Sequence, residues 1–215
     1  MLTHYIHRGL AKKIFKENTL PAFRYSFKKK YGIETDLQVT KDNELICFHD
    51  FNLRRKFNLN KNVKDINYSN LKKISNKRKA PVPKLEDLLR ISRNKYPLLL
   101  EIKPLLTKHS LLNLTKLMKK TKRYGIISFK EKNLINLYKI NKKLPLGLLF
   151  LSTASFKNIK IKSKKKYVKF LVLEKKFLLN KNLHLIRKKI YYYTIKNKNI
   201  FKKYRNTKNL IFENL

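Results

Sequence analysis

Eight short β-prone runs, near residues 3–6, 33–38, 98–102, 125–128, 146–150, 168–173, 190–194 and 209–212, alternate with helix-period apolar stripes along the chain. A strand followed by a helix is carried back over the sheet, so the next strand runs parallel to the last and its faces become covered. Eight such units predict an α/β protein, a compact (β/α)8 barrel. The covering helices show as Leu20, Phe23, Phe27 and Tyr31; Leu85, Leu88 and Leu89; Leu111, Leu114, Leu117 and Met118; Leu134, Leu137 and Tyr138; and Phe177, Leu178, Leu183 and Ile186. The first has Asn18 or Thr19 as N-cap, Pro21 in its first turn and Gly32 just past its end. Another helix near 65–75 stops before Ala80-Pro81-Val82-Pro83. At 215 residues the chain is near the lower limit for such a barrel. One domain, 1–215, is expected, with little room for elaborate loops.

One segment breaks the alternation. Residues 34–50 are β-like at both ends, and Asp42-Asn43 between them tolerates the positive φ of a tight turn, which predicts a β-hairpin after strand 2. Folding there sets Asp36 opposite His49, within one residue of register. Glu34 and Asp36, two apart on a strand, share a face. Leu98 to Lys103 is an apolar strand whose period puts Glu101 and Lys103 on one side. In a parallel barrel the C-terminal strand ends form the active-site face, so Glu34, Asp36, Glu101 and Lys103 should meet at one mouth. Three carboxylates beside one lysine repel each other unless a cation sits among them, and all-oxygen ligands favour Mg2+ or Ca2+. His7-Arg8-Gly9 follows the first strand, so His7 should face the same mouth, with Arg8 placed to grip a phosphate.

These motifs resemble the glycerophosphodiester phosphodiesterase family: His7-Arg8-Gly9, Glu17-Asn18-Thr19, Glu34-Thr35-Asp36, His49-Asp50 and Glu101-Ile102-Lys103 occur in the family's order at suitable spacings. Lesser matches are Val82 to Asp87, Ile127-Ser128-Phe129, and Tyr193-Thr194 where the family often has Trp-Thr. The resemblance covers essentially the whole chain and implies a TIM barrel that hydrolyses glycerophosphodiesters to glycerol 3-phosphate and an alcohol. It implies Glu34, Asp36 and Glu101 as metal ligands, and His7 and His49 as general base and general acid. Arg8, Lys103, Glu17, Asn18, Phe129 and Tyr193 are implied on the phosphate or substrate. The family's nucleophile is the glycerol's own hydroxyl, giving a cyclic phosphate that water opens. Three departures bear on substrate fit: Lys16 replaces a proline, Tyr193 a tryptophan, and Phe212-Glu213-Asn214 the common Thr-Asp pattern.

Composition sets the rivals. Lys and Arg number 54 against 13 Asp and Glu, a net charge of +41, which on its face suggests a polyanionic partner. The lysines fall on nearly every expected helix and loop among many Asn, Ile, Phe and Tyr, as in an AT-rich genome. No dedicated nucleic-acid partner is therefore expected, while weak association with an anionic membrane surface is compatible with the charge. The alternatives are a lysophospholipase D or other phosphodiesterase using the same site, or a basic nucleic-acid-binding protein on an inactive barrel. The lone Cys47, in the apolar run Leu45 to Phe48, is expected to be buried and inert. His4, His109, His184 and Ser128 are expected in packing or surface roles. The longest apolar run, Leu144 to Leu151, falls short of the ~20 residues of a membrane span. With no room for a signal peptide before His7, a cytoplasmic monomer or dimer is expected.

Overall fold

The computed structural model describes residues 2–215. Its first half comprises β1 (Tyr5–His7), α1 (Leu20–Lys28), β2 (Gly32–Val39), β3 (Leu45–Cys47), α2 (Arg54–Phe57), α3 (Tyr68–Lys77) and α4 (Leu85–Ser92). Then follow β4 (Leu98–Ile102), α5 (Lys108–Met118), β5 (Tyr124–Ser128), α6 (Glu131–Ile140), β6 (Leu146–Phe150) and α7 (Phe156–Ser163). The last elements are β7 (Phe170–Glu174), β8 (Lys189–Ile195), α8 (Lys198–Tyr204) and β9 (Asn209–Phe212). The strands β1, β2, β4, β5, β6, β7, β8 and β9 run parallel in that order, and β9 pairs with β1 to close the ring. This is the (β/α)8 TIM barrel, with β3 hairpinned antiparallel onto β2.

Two apolar layers hold it. Between strands and helices pack Phe23, Leu88, Leu114, Leu134 and Ile159, all fully buried. Each such side chain contributes about 1.5–3 kcal/mol on leaving water. Inside the ring sit Tyr5, Leu99, Ile127, Leu149, Phe170, Val172, Tyr191 and Ile211, the inward half of each strand's alternation. Phe170 fills the floor because β6 offers Gly147 beside it: a Cβ there would lie 2.3 Å from the ring.

Several details differ from expectation. Strand β1 starts at Tyr5, so His7 is its last residue and His4 lies outside it. Gly32 does not end α1; Lys30 takes the left-handed conformation (φ 61°) and Gly32 opens β2. Where a helix stripe is expected over Phe177 to Ile186 there are two 3-10 turns, Lys175–Leu179 and Lys181–Leu185, which still bury Phe177, Leu183 and Ile186 while Leu179 and Leu185 stay exposed. The segment between β3 and α4 is more elaborate than chain length suggested, with its own apolar cluster that includes Phe48, Leu53, Phe57, Leu71 and Val82. Cys47 is buried, and burial pushes its thiol up to about 12. Among the described residues, no helix is long and apolar enough to cross a membrane.

Candidate active site at the barrel mouth

The strand period builds the mouth from the same inward rows as the core. Above Tyr5 comes His7, above Leu99 comes Glu101, and above Gly32 come Glu34 and Asp36. Register sets His7 beside Glu34 and Asp36 beside Glu101. The hairpin pairs Leu37 with Cys47, so the Phe48 amide donates to the Asp36 carbonyl at 2.9 Å and His49 stands one residue beyond. Asn43 closes the turn at φ 61°. His7, Arg8, Glu34, His49, Glu101 and Lys103 all line one cavity of about 320 Å³, together with Phe129 and Tyr193.

One oxygen from each of Glu34, Asp36 and Glu101 lies within 4.8 Å of the others, and all three side chains are buried. Burial raises the pKa of Glu34 well above the ordinary carboxylate range, and the neighbouring Asp36 and Glu101 add to it. Burial and Asp36 push Glu101 up to about 7, against the pull of Lys103. Burial also works on Asp36, but Arg8, His49 and Lys103 outweigh it and hold this carboxyl low. Lys103 Nζ lies 2.9 Å from Glu101 Oε1 and 3.7 Å from Asp36 Oδ1. Such a cage, acidic, buried and short of positive charge, has the donor chemistry of a hard divalent cation.

Each imidazole is backed by a carboxylate. Glu213 Oε2 lies 2.5 Å from His7 Nδ1, and its other oxygen is 2.7 Å from Lys196 Nζ. Although burial opposes it, these two partners lower Glu213 to about 2. An ionised carboxylate only accepts, so His7 Nδ1 carries the proton. His7 Nε2 is then the nitrogen 3.9 Å from Glu34 Oε2. Asp50 Oδ1 holds His49 Nδ1 at 2.7 Å in the same way. Burial lowers the His49 pKa, Asp36 opposes this, and Arg8 and Lys103 lower it further. Glu213 is given no site role from the sequence, yet it lies one residue past β9 and two beyond the inward Ile211, the same offset that places Glu101 above Leu99.

Glu17 and Asn18 are not among the residues that line the cavity. Asn18 is fully buried at φ 53°, donates to Asp36 Oδ2 at 3.1 Å and accepts from Thr35 Oγ1 at 2.7 Å. Glu17 bonds Arg8 Nη1 at 2.9 Å and pairs with Arg55, which in turn holds Asp50. Both side chains are spent on the residues behind the cavity. Arg8 itself is at φ 53°; its Nε lies 3.1 Å from Asp36 Oδ2 at an angle too poor for a hydrogen bond, and no other described residue accepts from it. Tyr193 is tied back by its hydroxyl to the Phe150 carbonyl at 3.2 Å and meets Phe129 edge-on. Ser128 is spent on the Ile102 carbonyl, His4 packs on Tyr31 and Phe201, and His109 and His184 are exposed.

Together these features define a (β/α)8 barrel with a carboxylate cage and paired imidazoles at its C-terminal mouth. Residues 7–208 match the glycerophosphoryl diester phosphodiesterase family, and the chain belongs to that family. A curated glycerophosphodiester phosphodiesterase of Bacillus altitudinis is 41% identical over 70 residues, which is 32% of this chain and 28% of that protein. The alignment thus spans about a quarter of the relative's length. Among solved structures, a glycerophosphodiester phosphodiesterase from Thermotoga maritima superposes with a TM-score of 0.84 at 21% identity, covering 100% of this chain and 95% of the other. A phosphodiesterase from Oleispira antarctica, solved with the product sn-glycerol-3-phosphate, gives 0.81 at 18% identity, covering 99% and 92%. At these identities the likeness is one of fold.

Proposed function

We propose that this chain hydrolyses glycerophosphodiesters to glycerol 3-phosphate and an alcohol, in the cavity between His7 and His49. The observation that carries this reading is a cavity lined by two cations, two carboxylate-backed imidazoles, Glu34 and Glu101, the last two clustered with the buried Asp36. Glu34, Asp36 and Glu101 would hold a divalent ion, Mg2+ or Ca2+, which when bound polarises a phosphoryl oxygen and offsets its developing charge. Arg8 and Lys103 meet the remaining phosphate charge; the unpaired Nε–H of Arg8 is a buried donor suited to an anionic oxygen.

His7 acts as base through Nε2, deprotonating the glycerol hydroxyl next to the phosphate, and Glu213 stabilises the imidazolium that forms. His49 protonates the leaving alcohol. Burial above all, and then Arg8 and Lys103, lower its pKa in the free cavity, and a phosphodiester anion would counter the part that comes from the two cations, readying His49 as an acid. The cyclic phosphate is then opened by water with the two roles reversed. The sn-glycerol-3-phosphate of the Oleispira relative supports the same product here.

The test is release of glycerol 3-phosphate from glycerophosphocholine, with and without chelator. His7→Ala and His49→Ala should each lower turnover by roughly a thousandfold or more while leaving the metal-induced rise in melting temperature intact. Retained turnover in His49→Ala defeats the acid assignment, and activity indifferent to chelation defeats the carboxylate assignment.

A further inference from the structure

Large apolar side chains are left exposed at several places on the described surface, Ile14 and Leu179 most of all, but four of them sit on successive loops at the mouth. The loops after β3, β4, β5 and β6 present Phe51, Leu105, Phe129 and Leu151, between 40% and 53% exposed. The strands that carry them are neighbours in the sheet apart from β2, onto which β3 is hairpinned. Phe51 and Leu105 line a cavity of about 550 Å³ separate from the catalytic one, while Phe129 and Leu151 form part of the catalytic cavity's wall. Lys130 joins the two pairs: it follows Phe129, and its Nζ lies 5.2 Å from the centre of the Phe51 ring. Exposed Arg54, Lys108 and Lys130 flank these tips; of the nearby acidic side chains Glu17, Asp50 and Glu213 are held in ion pairs, and Glu174 accepts from the Ser152 amide beside Leu151.

Exposed apolar tips on successive loops, two to a cavity and bridged by Lys130, form a surface suited to something apolar. Leu105 and Leu151 offer no ring on which a nucleic-acid base could stack. Aliphatic and aromatic tips fringed by cations fit the boundary of an anionic bilayer, where the tips enter among the acyl chains and the cations meet the headgroups. We propose that this surface docks the barrel on anionic lipid bilayers, with Phe51 and Leu105 inserting and the catalytic mouth turned toward the lipid. The claim concerns a surface and not turnover, so it stands or falls apart from the hydrolysis reading.

Because the chain has no tryptophan, Phe51→Trp makes a single-tryptophan reporter, and Ile161→Trp, at an exposed position on α7, makes its control. Each is mixed with vesicles of brominated phosphatidylcholine, with or without phosphatidylglycerol. The expected result is a blue shift and quenching at position 51 on the anionic vesicles only, with neither at position 161. In sedimentation with the same vesicles, the double variant Phe51→Ser/Leu105→Ser should partition roughly tenfold more weakly than the unmodified protein. Quenching at both positions or at neither overturns the proposal. So does undiminished partitioning of the double variant that disappears in salt, since the +41 charge would then adsorb without a preferred face. Displacement from vesicles by a single-stranded RNA, equal for both proteins, also overturns it.

Discussion

Glu213 ties the orientation of the His7 ring and the stability of the fold to a single carboxylate. Its contact with His7 Nδ1 fixes which ring nitrogen faces the cavity, so Glu213→Gln should lower kcat about tenfold to a hundredfold with little change in the metal-induced melting shift. Its stability contribution has a defined sign. The folded pKa, about 2, lies below the ordinary carboxylate value, so the group stabilises the fold above that ordinary value and loses its contribution as pH falls toward 2. With exposed Lys196 discounted for solvent, Glu213→Gln should cost about 1–2 kcal/mol at pH 7. Urea unfolding of both proteins across an acid series checks this: the gap should close between about pH 5 and pH 2, and a gap unchanged at the acid end refutes the ion-pair account. Asn18 acts one step further back. It is buried, left-handed and bonded to both Asp36 and Thr35, so Asn18→Ala strands two polar groups and strains the turn. A loss of about 2–4 kcal/mol and weaker Mg2+ or Ca2+ binding are expected, measured by denaturant melts and calorimetric titration.

At the scale of elements, the barrel depends on matching bulk across adjacent strands. Phe170 on β7 occupies the space that Gly147 on β6 leaves, and a Cβ at 147 would overlap one edge of its ring, lying 2.3, 2.6 and 2.7 Å from Cε2, Cζ and Cδ2. Gly147→Ala should therefore destabilise by about 1–3 kcal/mol, and a second change, Phe170→Leu, should recover part of that loss, as thermal melts of the single and double variants would show. This complementarity also explains what could be read in the sequence. All eight strands were legible because each is a short apolar run of period two or a continuous core run, and the hairpin was legible from Asp42-Asn43. The convergence of His7, Glu34, Asp36, His49, Glu101 and Lys103 followed from the same period plus the rule that a parallel barrel opens at its strand ends. Glu213 was not legible because it lies just past the end of β9, in a segment that departs from the family pattern, and its role rests on a contact with His7, 206 residues away. Asn18 and Glu17 were legible as motif members but not as supports, since a left-handed turn and a chain of ion pairs through Arg55 depend on contacts distant in sequence. The 3-10 turns at 175–185 escaped for a different reason: their apolar spacing also fits a helix, and only packing distinguishes the two.

For the whole molecule the dominant quantity is charge. With 54 basic and 13 acidic residues, most cations have no acidic partner, so folding gathers like charges that the unfolded chain keeps apart. Salt screens the part of this repulsion that acts beyond about 10 Å at 0.1 M, and an increasing part of it as the salt rises. The carboxylate cage responds differently, because Glu34, Asp36 and Glu101 are buried and their repulsion is little screened. Two stabilising effects should therefore separate. Melting temperature at pH 7 should climb with NaCl from low ionic strength to about 0.5 M, with or without a divalent ion. The further rise given by saturating Mg2+ or Ca2+ should persist at high salt and vanish in Asp36→Asn. A scan in which NaCl alone reproduces the divalent effect, or in which Asp36→Asn still responds to the divalent ion, would mean that the cations act on the surface lysine field and not in the mouth.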